Sequence, residues 1–153
     1  MKKTLTSIIF GALLLAQAGC ARGFDINTPT SFAELDGSGD YEYRATSAEG
    51  VVIGVRTAEN DPKGNLEFWK AAMGYELARR GYSKQGESEV KSASGTSGVQ
   101  LRYSTKHQGR PHVFWATLFV TESKIVVVEA GGDVEHFEKV QAQVSSAING
   151  IDV

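Results

Sequence analysis

Glu129 stands near the end of an apolar run, Ile125-Val126-Val127-Val128-Glu129-Ala130. A carboxylate in such company either pairs with a cation or faces solvent; otherwise burial raises its pKa and makes it an acid–base group. Arg56 and Arg102 are the arginines on predicted neighbouring strands that can pair with it. Arg102, His112 and Glu129 together make a candidate ligand pocket, open to binding or acid–base chemistry if the three converge. Three histidines, His107, His112 and His136, raise the question of a metal. Zinc requires three or four ligands converging at about 2.0–2.2 Å, and the chain has neither an H-E-x-x-H pattern nor a second cysteine. The histidines therefore read as solvated loop and helix-end residues, although a hairpin between 107 and 112 brings that pair close. No metal and no cofactor is expected.

Nucleophiles are no better placed. Ser94-Gly95-Thr96-Ser97-Gly98 lacks the G-x-S-x-G frame and joins two strands, where a nucleophile elbow joins a strand to a helix. Gly37-Ser38-Gly39 does not continue to a third glycine, since residue 42 is Glu, so no dinucleotide or phosphate loop follows. No catalytic residue is assigned. The aromatics offer more, because a strand apolar on both faces is either sandwiched or contributes a contact surface. His112 to Thr121 is such a strand, and Trp and Tyr are frequent interface anchors. Tyr103, Trp115 and Phe119, with His107 and Arg110 of the Lys106–Pro111 hairpin, form the expected partner surface.

These residues must be positioned by a run of strands and two helices. Tyr41–Ser47 and Val51–Thr57 alternate apolar and polar positions and form a hairpin, with Tyr41, Tyr43 and Ala45 on one face. Asn65 caps a helix over Leu66 to about Arg80, whose inner stripe is Leu66, Trp69, Ala72, Met73 and Leu77 and whose stop is Gly81. Arg79 and Arg80 fall where the helix dipole favours cations. Tyr82–Val90, interrupted by Gly86, then Val99–Thr105, His112–Thr121 and Lys124–Ala130 form an antiparallel meander. The last two are the most apolar and are expected at the centre of the sheet. Gly131-Gly132-Asp133 caps a final helix with Val134, Phe137, Val140, Val144 and Ile148 inside. Strands segregated from helices predict an α+β fold, an antiparallel sheet of about six to seven strands with two helices packed against it.

The N-terminus carries a different chemistry. Lys2 and Lys3 precede the apolar run Ile8–Ala16, about nine residues and too short to span a bilayer. Ala18-Gly19-Cys20 follows, and the segment resembles the bacterial lipoprotein signal, in which a diacylglyceryl group is placed on the cysteine before cleavage ahead of it. That resemblance implies residues 1–19 as signal peptide, Cys20 as the lipidation site, residues 20–22 as a short tether and 23–153 as a single α+β domain. Gln17 stands where such signals usually carry Leu, Val or Ile. The other reading is a secreted protein cut after Ala16-Gln17-Ala18. Cys20 is the chain's one cysteine, and lipidation accounts for an unpaired thiol in an exported protein. Ala21, in place of an aspartate, implies the outer membrane, facing the periplasm. Without Lys2 and Lys3 the chain has 14 basic and 18 acidic residues, a balance that argues against nucleic acid as a partner.

The order of elements resembles the PsbP-like superfamily, which includes the photosystem II extrinsic protein and the DcrB-type bacterial lipoproteins. The cues are Phe24-x-Ile26-x-x-Pro29-x-x-Phe32, the strand Gly98-Val99-Gln100-Leu101-Arg102-Tyr103 after a glycine loop, and an apolar strand leading through Ala130 into a helix bearing Phe137. The resemblance implies a binding, assembly or chaperone role. The resulting expectation is a membrane-anchored envelope lipoprotein whose domain binds a protein or envelope component without catalysis. Two alternatives stand beside it: a small-ligand-binding domain or hydrolase near Glu129, and an immunity or chaperone-like protein for a secreted effector.

Overall fold

The structure, a computed structural model, describes residues 23–36 and 39–153. Cys20 and the segment 1–22 lie outside the described residues. Strands β1 (Phe32–Glu34), β2 (Tyr43–Ser47) and β3 (Val52–Glu59) form one half of the sheet. Helix α1 (Leu66–Arg79) then crosses to the far edge, where β4 (Ser83–Lys91) begins a meander through β5 (Ser97–His107), β6 (Arg110–Val120) and β7 (Lys124–Asp133). Helix α2 (Val134–Asn149) follows. The seven strands lie in the order β1-β2-β3-β7-β6-β5-β4, every pair antiparallel, so β7 occupies the centre with β6 beside it.

Each helix buries one stripe on one face of the sheet. Phe137, Val140, Val144, Ala147 and Ile148 of α2 pack on Tyr43, Ala45, Ile53, Val55, Trp115, Phe119, Val126 and Val128. On the other face, Leu77 is the buried anchor of α1, and Leu66, Trp69 and Met73 join it over Val99, Leu101, Tyr103, Ala116 and Leu118. A fully buried side chain of this kind contributes about 1.5–3 kcal/mol, so α2, with five buried positions, is the more strongly held helix. Ala72, expected inside α1, is exposed. The caps follow the sequence: Asn65 accepts from the Phe68 N–H at 2.9 Å and Asp133 from the Glu135 N–H. Gly81 takes the positive φ of 85° that ends α1.

Some boundaries differ from expectation for local reasons. The Lys106–Pro111 loop contracts to a two-residue turn, Gln108-Gly109, both at positive φ (50° and 78°), with His107 paired to Arg110. Two positive-φ residues suit the twist of a hairpin, and β5 and β6 gain length. The stretch after Gly23 is not a strand but a single bridge, Asp25 to Asp152. Tyr41 precedes β2 and does not share the face of Tyr43; its ring lies over Gly54, where a Cβ would come within 2.6 Å of it. The outer edge, β4, is bulged between Lys84 and Gly86 and carries Lys84, Glu87, Glu89 and Lys91.

Candidate functional site

Glu129 lies on the α1 face of the sheet, between Gly54 of β3 and Ala116 of β6, its register neighbours. Both neighbours are small, and that leaves room for Tyr41 above Gly54. The Tyr41 hydroxyl donates to Glu129 Oε2 at 2.5 Å, and Arg56 donates to Oε1 at 2.9 Å. The Glu129 side chain keeps 13% of its accessibility and Arg56 40%. Burial, then the hydrogen bond to Glu129 and its charge, push the Tyr41 phenol up to about 12. Burial opposes the Arg56 charge, but the hydrogen bond and charge of Glu129 outweigh it and raise its pKa. Each carboxylate oxygen has a partner and the phenol is held neutral, an arrangement that ties β3 to β7. The adjoining cleft, lined by Arg44, Val52, Phe114 and Gly131 besides Tyr41 and Glu129, holds about 160 Å³, room for a few waters or a small polar group.

Arg102 and His112 do not join Glu129. Arg102 pairs in register with Trp115 and Glu129 with Ala116, and consecutive residues of a strand face opposite sides. Arg102 therefore points to the α2 side, where its guanidinium meets Ser88 at 3.4 Å and covers Gly86. His112 shares the face of Glu129 but sits opposite Asp133, four residues along β6 from Ala116, about 13 Å at strand spacing. The Arg102–His112–Glu129 pocket does not form.

The expected partner surface is divided in the same way. Tyr103, Trp115 and Phe119 are buried, at 3%, 6% and 0% accessibility. Strand β6 places Trp115 edge-on to Phe137 of α2 at 4.9 Å and Phe119 over Gly98, while Tyr103 of β5 lies beneath Gly74 of α1. These three are core residues. His107 and Arg110 remain exposed at the hairpin tip, where the His107 and His112 rings lie with centroids 5.3 Å apart. Arg110 is drawn to Asp133 at 3.2 Å. His136 is in the first turn of α2, its Nδ1 buried. Among the described residues no three His, Cys, Asp or Glu side chains converge on a common point.

The exposed aromatics are elsewhere. Phe68 is 48% and Tyr75 72% accessible, and with the exposed Ala71, Ala72 and Ala78 they line the outward face of α1. The three- and four-residue spacing is visible in the sequence, but the inner stripe of the same helix satisfies the amphipathic pattern first. Arg79 and Arg80 at the helix end both close on Glu76, at 2.9 and 2.8 Å. Hydrogen bonds from Arg79 and then Arg80 hold that carboxyl down to about 2. Asn60, a buried residue without any sequence signal, ties the start of α1 to the sheet. Its amide donates to the Gly64 and Thr121 carbonyls, and its oxygen accepts from the Gly64 N–H and the Trp69 indole, all within 3.0 Å.

Comparison with solved structures places this architecture. LpqN of Mycobacterium tuberculosis, described as involved in cell envelope biogenesis, superposes with a TM-score of 0.69 at 14% identity, over 85% of this chain and 83% of LpqN. Cyanobacterial PsbP (CyanoP) from Synechocystis superposes with a TM-score of 0.64 at 11% identity, over 86% of each chain. The fold is PsbP-like. At these identities the likeness concerns the fold alone. The sequence matches no protein-family model and no curated protein. Among the described residues, no helix is long and apolar enough to cross a membrane.

Proposed function

We propose that the protein is an envelope lipoprotein, anchored through Cys20, whose PsbP-like domain binds a protein or envelope component without catalysis. The observation that carries the reading is the outward face of α1, where Phe68 and Tyr75 stand exposed above a helix already satisfied on its inner side. Exposed aromatics grouped on one rigid element fit a contact surface. Glu129, part-buried, has each carboxylate oxygen engaged within the domain by Tyr41 and Arg56, which fits a structural pairing. Participation of LpqN in envelope biogenesis agrees with such a role.

The anchor supports the same reading through position. Gly23 lies against Lys124 and Thr57, at the end of the sheet where β7 begins and α1 starts. Three residues from Cys20 reach about 10 Å, so that end stays beside the membrane. The β5–β6 hairpin is at the other end of β7, whose ten residues span about 33 Å. A photo-crosslinking side chain at position 75 tests the contact surface in intact cells. A discrete adduct is expected at position 75, lost on Phe68→Ser and not formed from position 108. Equal labelling from both positions overturns the α1 surface.

A further inference from the structure

The geometry points to a second site at the hairpin tip: we propose that His107 and His112 form a two-imidazole chelate for a borderline divalent transition-metal ion such as Zn²⁺ or Cu²⁺, with water in the remaining positions. Imidazole suits these metals, and two imidazoles act as one chelating unit only when the backbone holds them side by side. It does so here. Thr105 pairs with His112 and His107 with Arg110, so the two histidines are diagonal neighbours on one face of adjacent strands, with ring centroids 5.3 Å apart. The two-residue turn Gln108-Gly109, both residues at positive φ, fixes that register.

Ring orientation supplies the second observation. His112 Nδ1 lies 3.3 Å from the Arg110 carbonyl oxygen. A carbonyl only accepts, so this contact places the proton on Nδ1 and leaves Nε2 as a lone-pair donor. A metal-binding imidazole is typically oriented in this way, by donating its other N–H to a backbone carbonyl. Arg110, the cross-strand partner of His107, is held by Asp133 at 3.2 Å, and this limits its repulsion of an incoming ion. His107 is exposed and His112 partly exposed beside the two-residue turn, so ion entry requires no opening of the fold.

Zn²⁺ titrated by calorimetry into the full-length, untagged protein in detergent reads the site directly. One saturable equivalent is expected, weakened about tenfold or more by His107→Ala or His112→Ala and absent in the double variant. His136→Gln, the remaining histidine, should leave it unchanged, and Arg110→Gln should tighten it. With Cu²⁺, electron paramagnetic resonance should show two equatorial nitrogens in the wild type and fewer in each single variant. His107 is exposed and His112 only partly buried, so unaltered melting of the variants is expected and separates lost binding from lost folding. Absence of saturable binding in the wild type, or equal binding in the folded double variant, overturns the proposal.

Discussion

Glu129 shows how one carboxylate can be read as chemistry in the sequence and as architecture in the structure. Tyr41 and Arg56 take one oxygen each, and the phenol is pushed up to about 12. The unfolded phenol ionises near 10, so the folded state binds the proton more tightly. The stability this contributes is whole below pH 10 and is lost as pH rises through about 12. Burial raises the Tyr103 phenol as well, so ultraviolet titration should show late tyrosine ionisation, and Glu129→Gln should bring down the Tyr41 share of it near pH 12. Gln108, at a φ of 50°, occupies a position that Asn or Gly fills more easily. Gln108→Asn is expected to stabilise the fold by about 0.5–1 kcal/mol, measurable as a higher Tm. The pairing of Glu129 with an arginine was legible; the choice between Arg56 and Arg102 was not. A one-residue difference in register exchanges the faces of a strand, and composition does not encode register.

The elements themselves were legible because their signals are local. Asn65, Gly81 and Asp133 mark helix ends through their own hydrogen bonds and dihedral angles, and alternation marks the strands. The misplaced surface has a physical cause. Trp115 and Phe119 lie on a strand covered on both sides, and such a strand has the same alternation-free pattern as an exposed sticky one. Tyr41 departs from the face that alternation predicts because it lies two residues before the first ladder pair of β2, Tyr43 with Val55. Asn60 was invisible because its role exists only when β6, the 60–64 loop and α1 meet. Asn60→Ala leaves the Trp69 indole and three backbone groups without this partner. A loss of about 2–4 kcal/mol is expected, a fall in Tm of roughly 10 °C, with the α1 signals shifting most in amide spectra.

At the scale of the molecule, the chain is organised end to end, with the N-terminal entry beside Lys124 and the histidine hairpin opposite. If Cys20 carries the lipid, Cys20→Ser should move the protein from the membrane to the soluble fraction without changing its melting temperature, since the domain begins after the tether. Retention in the membrane fraction would count against the anchor. Confinement of a chain to a bilayer also changes which part of its surface is dangerous. Copies held in one plane meet at high local density and in a common orientation, conditions that favour sheets joining side by side into polymers. The bulge between Lys84 and Gly86 and the alternating charges of β4 deny a neighbour a flat, pairable rim. The three-residue β1 at the other margin offers too short a template to compensate. On a domain tethered to a bilayer, the two margins of the sheet would therefore work against edge-to-edge joining of neighbouring copies.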